Sequence, residues 1–326
     1  PQPERAVDGR VPIEVRLTPA KRSIYTAGLS YGTDSGPGVR LGVERRFVND
    51  RGHKALAQLD YARKRQMLTL QYRIPAFAWR DGWYTISAQL YDEQTDYIDT
   101  QRVELVGSRN GQYSRHLNLV ASIHALRERW LYLDEVGNGD PASSLQYRTA
   151  SFTYPSLRAQ YLNVDDVVFP RSGVGGSLTL RSGVEGVGSD ASFAQLHARA
   201  TTFKGMGADA RLILRAEAGY TWTSALVDMP PSLRFYAGGG RSIRGYEWRE
   251  VGPRITRFEE DENGVPRETG YLAIGARNVV TASVEYERYF LGNWGAAVFV
   301  DSGSAFDGTS PDWHTGVGIG ARWRSP

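Results

Sequence analysis

Apolar and polar residues alternate with a period of two along most of this 326-residue chain. In 83–92 and 194–200 every second residue is apolar and the residues between them are polar. In 316–322 most of the positions between the apolar residues are glycines. This alternation is typical of β-strands whose two faces meet different surroundings. It predicts about fourteen strands, at 23–31, 38–47, 54–62, 66–75, 83–92, 96–109, 113–132, 143–161, 173–183, 191–202, 209–221, 278–290, 294–302 and 314–323.

The polar faces of these strands carry full charges, such as Arg211, Arg215 and Glu217. A dry core does not tolerate unpaired charges, whereas a water-filled lumen does. Most segments have the nine to eleven residues with which a tilted strand crosses a bilayer, and aromatic residues cluster near strand ends as interfacial girdles do. The fold class predicted for 21–326 is therefore all-β, a transmembrane antiparallel β-barrel. A soluble barrel or sandwich is the alternative.

Composition narrows the function classes. The chain has 39 basic and 36 acidic residues and a net charge of +3, so nothing points to a nucleic-acid partner. It has no cysteine, which excludes thiol chemistry and thiolate metal sites. Five scattered histidines, with no nucleophile elbow and no spaced metal-ligand motif, indicate no catalysis, no metal and no cofactor.

Short and long connections alternate, as they do between the periplasmic and outer sides of outer-membrane barrels. Short ones are predicted at 49–53, 110–112, 204–208 and 291–293, and most of the others are longer. This register places both chain ends on the periplasmic side of a bacterial outer membrane. The longest connection, about fifty residues at 222–277, is predicted to have no secondary structure of its own but to be ordered, since it is rich in aromatics and glycines.

A possible latch lies in that connection. Glu285 and Asp301 fall on the lumen faces of the two strands that follow it, and Arg244 lies near its centre. A guanidinium is a rigid fork of donors that matches carboxylates. Ile243, Arg244, Gly245 and Tyr246 would form the latch, and Glu285, Asp301 and Gly303 its partners on the wall. The alternative is that these charges only line a wet pore.

Ile243–Tyr246 resembles the (V/I)RG(F/Y) loop signature of the outer-membrane insertase and translocator superfamily with POTRA domains. Phe299–Gly303 resembles its FxDxG strand motif, and Ser283–Tyr286 resembles the strand element between them. Within this superfamily, which includes the BamA family, the chain is most similar to the TamA family, the barrel subunits of the translocation and assembly module. That similarity is carried by 18–34, 36–40 and 237–246.

The resemblance implies a sixteen-stranded barrel whose first and last strands meet in a weak seam, with the long loop reaching into the lumen. Residues 1–20 would then be the end of the last POTRA domain and a linker in the periplasm, and 21–326 a barrel that lacks its final strands. The edge of the first strand at this lateral gate would be formed by Tyr25, Ala27, Gly28 and Leu29.

The function expected from the resemblance is insertion or translocation of client outer-membrane proteins such as autotransporters, without enzymatic activity. The expected partners are those clients, the outer-membrane lipids and an inner-membrane-anchored, periplasm-spanning protein of the TamB type. A two-partner-secretion pore, and a diffusion channel or solute transporter constricted by the long loop, are the alternatives.

Overall fold

The computed structural model describes residues 21–32, 36–78, 80–95, 98–132, 147–260 and 266–324. Residues 1–20, the predicted end of a POTRA domain, lie outside this described part. No helix in the described ranges has the length and apolar character needed to span a membrane.

Fourteen antiparallel strands form one continuous sheet, in which each strand pairs with the next along the chain. Two further strands, β12 and β13, form a separate ribbon inside the connection between β11 and β14. The strands are β1 (Ser23–Gly32), β2 (Gly36–Arg45), β3 (Lys54–Ala62), β4 (Arg65–Pro75), β5 (Arg80–Gln94), β6 (Ile98–Gln112), β7 (Leu117–Tyr132), β8 (Arg148–Val164), β9 (Gly173–Gly183), β10 (Phe193–Met206), β11 (Ala210–Trp222), β12 (Arg254–Glu260), β13 (Pro266–Ala273), β14 (Asn278–Leu291), β15 (Trp294–Phe306) and β16 (His314–Trp323). The prediction of an all-β fold with fourteen strands in one sheet is confirmed.

Side chains on the two faces of the sheet differ as the alternation predicts. On β14, Thr281, Ser283 and Glu285 are buried on the inner side, while Ala282 and Val284 are exposed on the outer side. A face of exposed aliphatic side chains beside a face of charged ones is the arrangement that a barrel needs between lipid and a polar lumen.

Several boundaries differ from the prediction: β8 spans Arg148–Val164 rather than 143–161, and β10 continues to Met206, which shortens the turn predicted at 204–208. Two other differences concern the β6–β7 turn and the long connection. The turn between β6 and β7 lies at 113–116 rather than at 110–112, because Asn110, Gly111 and Gln112 continue the ladder and pair with residues of β7. The long connection, 223–277, is not without secondary structure. It contains two 3₁₀ turns, Leu226–Asp228 and Pro231–Leu233, and the β12–β13 ribbon. We call residues 223–277 the lumen loop.

Candidate functional site: a docked loop and the wall that holds it

Arg244 of the lumen loop contacts two carboxylates on the inner wall. Its backbone N–H and its Nε both donate to Asp301 Oδ2, at 3.0 and 2.6 Å, and its Nη2 donates to Asp301 Oδ1 at 2.7 Å. Its Nη1 donates to Glu285 Oε2 at 2.6 Å. Both carboxylate side chains are 1% exposed. The bond to Asp301 raises the pKa of Arg244, burial lowers it, and the bond to Glu285 raises it again. The net result is a pKa above the usual value, so the guanidinium stays charged. Charge-assisted, bidentate pairs of this kind are among the stronger hydrogen bonds in proteins.

Two further contacts fix the plane of this guanidinium. Arg244 Cζ lies 3.5 Å from the centroid of the Phe299 ring, and Nη2 donates to Ser283 Oγ at 3.3 Å. Stacking a planar cation on an aromatic face adds attraction and restricts its rotation. Arg244 is therefore held on three sides by β14 and β15.

Glu285 is shared among arginines from three separate elements. Besides Arg244, it accepts from Arg215 Nη2 of β11 at 3.1 Å and from Arg322 Nη2 of β16. Arg322 crosses β15 to do so. We call the whole set the arginine network. Its members are Arg211, Arg215, Arg244, Arg322, Glu285, Glu287 and Asp301.

The second carboxylate of β14 completes this network. Glu287 accepts from Arg211 Nε at 2.6 Å and from Arg322 Nε at 2.9 Å. Four guanidiniums against three carboxylates leave one net positive charge. Removing one partner from such a buried set leaves an uncompensated charge, which is far costlier than losing an exposed pair.

The residues beside Arg244 pack the loop against apolar side chains. Ile243 is fully buried, in a cluster with Phe235, Ala237, Val251, Ala276, Val279 and Ala305. Tyr246 packs against this cluster, and its ring meets that of His314 edge-on at 5.4 Å. Gly245 has a φ of +98°, a conformation in which other L-residues are strained.

Glycines on β16 make room for the docked loop. A Cβ built on Gly316 would lie 1.9 Å from the carbonyl oxygen of Arg244, and one on Gly318 would lie 2.5 Å from the Phe299 ring. Gly303 of β15 has a different role, since a Cβ there would lie 2.5 Å from the Val280 carbonyl of β14. Gly316 thus admits the loop, while Gly303 allows two strands to approach closely.

A second anchor holds the lumen loop on the opposite wall. Met229 and Leu233 are buried in a cluster supplied mainly by β6, β7, β8 and β10, with Ile98, Leu126, Trp130, Tyr132, Ala150, Phe152, Tyr154, Ala191 and Phe193. Gln195 Nε2 donates to the Leu233 carbonyl at 2.9 Å, and Ser232 Oγ donates to Glu128 Oε2. Arg244 follows Leu233 by only eleven positions, so the loop crosses from one wall to the other.

Arg234 keeps this crossing segment in shape. Its guanidinium donates to the carbonyls of Met229, Ile274 and Val227 at 2.9, 3.0 and 2.9 Å. Three backbone acceptors from both arms of the loop are satisfied by one side chain, which ties those arms together.

The predicted gate strand, β1, is an outer strand of the sheet. Its ladder to β2 pairs Tyr25 with Val43, Ala27 with Leu41 and Gly28 with Arg40. Among the described residues, no ladder joins β1 to β16. Leu29 on β1 is 89% exposed and Ile319 on β16 is 85% exposed, whereas Val300 on the interior strand β15 is 49% exposed. Within the described part of the chain, each outer strand therefore pairs on one side only.

Comparison with known proteins identifies the family. Residues 48–326 match the Omp85 superfamily domain. The chain belongs to the Omp85 superfamily. Over 119 residues it is 32% identical to the outer membrane protein assembly factor BamA of Nitratidesulfovibrio vulgaris. The matched segment covers 34% of this chain and 14% of that protein.

Solved structures agree with this Omp85 assignment at the level of the fold. BamA from Haemophilus ducreyi lacking POTRA domains 1–3 superposes with a TM-score of 0.80 at 17% identity, covering 94% of this chain and 65% of that one. CdiB from Acinetobacter baumannii gives a TM-score of 0.55 at 14% identity, covering 94% and 54%. The chain spans less than two thirds of these relatives. The predicted barrel fold is confirmed.

The structure brings Ile243, Arg244, Gly245 and Tyr246 together with Glu285 and Asp301 in this Omp85 barrel, and their role as a latch stays a prediction. Sequence reasoning placed Arg211 and Arg215 on a polar strand face but did not link them, or Arg322 and Glu287, to Arg244 and its carboxylate partners. It also missed the anchor at Met229 and Leu233. The alternating glycines of β16 were a usable signal, since a strand face without side chains leaves space for another segment.

Proposed function

We propose that this Omp85 barrel is part of an outer-membrane factor that inserts or translocates other outer-membrane proteins, as a member of the TamA family. Membership of the Omp85 superfamily over 48–326 is the observation that carries the proposal. The similarity to a protein named as an outer membrane protein assembly factor supports it. The finer assignment to TamA, with autotransporters as clients, rests on the sequence similarity of 18–34, 36–40 and 237–246.

The free edge of β1 is the element proposed to receive a client. Backbone N–H and C=O groups on an unpaired edge are a template for a further strand. In β1 this edge runs past Tyr25, Ala27, Gly28 and Leu29. A client segment that adds there gains backbone hydrogen bonds, so its side chains are constrained only by their in-and-out alternation.

The sheet is shorter at this edge than at its centre. β1 and β16 have 10 residues each, whereas β7 has 16 and β8 has 17. At about 3.3 Å per residue the central strands are roughly 20 Å longer before tilt is considered. A shorter wall beside the outer-membrane lipids favours local thinning of the bilayer, which lowers the barrier to insertion there.

The docked loop is proposed to set how easily the wall moves. Arg244 joins the loop to β14 and β15, and Arg322 of β16 shares one of its two carboxylate partners, Glu285. Residues 243–246 would thus act as a latch on the strands nearest one sheet edge. Residues 1–20 are proposed to lie in the periplasm, where an inner-membrane-anchored partner of the TamB type would reach the protein.

Replacing Arg244 with alanine tests this proposal. We expect lower assembly of a β-barrel client in liposomes that contain the protein, together with faster cleavage of the lumen loop by added protease. Arg199→Ala is the matched control, because Arg199 is also a lumen arginine paired with a carboxylate, Glu217, but its side chain is 61% exposed. Unchanged assembly together with an unchanged loop would contradict the latch.

Conductance in planar bilayers separates this proposal from a diffusion channel or solute transporter. A channel would show a steady, large, ion-selective conductance. A lumen crossed by a loop anchored at Leu233 and at Arg244 predicts a mostly closed barrel. A large steady conductance in the unaltered protein would favour the channel instead.

A further inference from the structure

A serine, a histidine and a glutamate lie hydrogen-bonded in line on the lumen wall where β6 meets β7. Ser122 Oγ is 2.9 Å from His124 Nε2, and His124 Nδ1 is 2.8 Å from Glu104 Oε1. Ser122 and His124 share a face of β7 because they are two residues apart. Glu104 is their diagonal neighbour, since the ladder pairs His124 with Val106 and Leu126 with Glu104.

The carboxylate fixes which nitrogen of the imidazole is basic. An ionised Glu104 is an acceptor only, so in the neutral ring it selects the tautomer with the proton on Nδ1. The lone pair of Nε2 then points at the hydroxyl of Ser122. Nucleophile, base and orienting carboxylate therefore stand in the order that defines a catalytic triad by geometry.

An aromatic neighbour holds the His124 ring in place. The His124 ring is stacked on Tyr154 with centroids 4.8 Å apart and planes 2° apart. Tyr154 belongs to the buried cluster that includes Leu233 of the lumen loop, so one face of the imidazole is shielded from water. Shielding from water strengthens electrostatic interactions in a site.

Two lumen arginines lie near the three residues. Arg102 is two residues from Glu104 on the same face of β6. The ladders place Arg181 on the level of Ser122, beyond Ser156. The Nε atoms of both arginines are buried and have no protein partner among the described residues. Their positive charges favour an oxygen that becomes negative beside Ser122.

We propose that Ser122, His124 and Glu104 form a nucleophilic site that cleaves carboxylic esters entering the lumen. Ser122 Oγ bonds to the ester carbonyl carbon as its proton passes to His124 Nε2. The carbon–oxygen bond to the alcohol then breaks, and the departing oxygen takes that proton from Nε2. Acyl-Ser122 remains, Glu104 stays ionised throughout, and the alcohol leaves.

Water completes the cycle. His124 Nε2 accepts a proton from water as the water oxygen bonds to the acyl carbon, and the proton returns to Ser122 Oγ when that bond to the acyl group breaks. A carboxylic acid is released, and no other reactant is consumed. This ester cleavage is separate from client assembly, because none of the three residues contacts Arg244 or its carboxylate partners through any of the described hydrogen bonds.

A fluorophosphonate probe tests the site, since it phosphonylates an activated serine through the same attack. The full chain in detergent micelles should be labelled on the peptide that contains Ser122 and should hydrolyse p-nitrophenyl acetate. Ser122→Ala should abolish both. His124→Asn should slow labelling by about a hundredfold or more, since a general base contributes about 10²- to 10⁴-fold, and Glu104→Gln should slow it as well.

Ser156→Ala is the matched control, because it removes the neighbouring hydroxyl and keeps the backbone carbonyl that Ser122 Oγ also approaches at 3.4 Å. Heat-modifiable mobility on a gel shows that each variant is folded. Labelling that is absent from the folded wild-type protein, or equal in Ser122→Ala, overturns the proposal. A loss in Ser122→Ala with none in Ser156→Ala supports it.

Discussion

Glutamine at position 285 should destabilise the barrel more than any exposed charge change. The Glu285 side chain is 1% exposed and accepts from Arg244, Arg215 and Arg322. Glu285→Gln keeps the shape but removes the charge, so the arginine network goes from one net positive charge to two. Breaking a buried ion pair from one side costs about 3–5 kcal/mol. Because Arg215 is 39% exposed, its share is screened, and the lower end, about 3 kcal/mol, is the expected loss.

Urea unfolding in detergent micelles, followed by tryptophan fluorescence and gel mobility, measures this loss. A loss of about 3 kcal/mol lowers the ratio of folded to unfolded protein by roughly a hundredfold. Asp60→Asn is the control, because Asp60 pairs with an Arg40 side chain that is 58% exposed, and such pairs contribute about 1 kcal/mol or less. If Glu285→Gln costs no more than Asp60→Asn, the reasoning that burial makes the network stabilising is refuted.

Three further predictions concern the loop and one turn. Gly316→Ala should expel the loop and make it protease-sensitive, since its Cβ would overlap the Arg244 carbonyl, whereas Gly107→Ala on β6 meets nothing within 4 Å and should leave cleavage unchanged; equal cleavage in both would contradict this. Leu233→Ala should weaken the second anchor by about 2–5 kcal/mol, measured as lower hydrogen-exchange protection of 229–237, while protection near β16 persists. Bonds from backbone N–H groups, that of Ser172 first, hold the pKa of Asp165 below its usual range, so protection of the 165–172 turn should be full above about pH 4 and disappear as pH falls through that lowered pKa. Asp165→Asn should remove this pH dependence, and a turn that loses protection as pH rises would contradict the sign.

Whether a strand residue faces the lumen or the lipid was predictable, because side chains of a strand point alternately to the two faces of the sheet. Once Val298 and Val300 are assigned to lipid, Asp301 must face inward, and the same parity sets Glu285 on β14. The predicted closeness of Arg244 to them needed more, namely the family motif. Parity says which residues share a lumen but not which of them touch across it.

The contacts that escaped prediction are those set by three-dimensional reach. Arg322 crosses β15 to Glu287, which depends on the small side chains between them, Ala297 and Gly320. The anchor at Leu233 lies in a 3₁₀ turn, where no period marks an apolar residue as buried. The alignment of Glu104 with His124 depends on the exact register of β6 and β7, which the shift of their turn to 113–116 determines.

The space above Gly316 imposes an order on folding. The Arg244 carbonyl occupies a place that exists only when β16 is already aligned beside β15, and the guanidinium needs carboxylates from both β14 and β15. The loop is made before these strands in the chain but is able to settle only after them. A docked loop therefore indicates that β14, β15 and β16 have already paired. In a nascent chain trapped with β16 unpaired, the loop should still be in solvent.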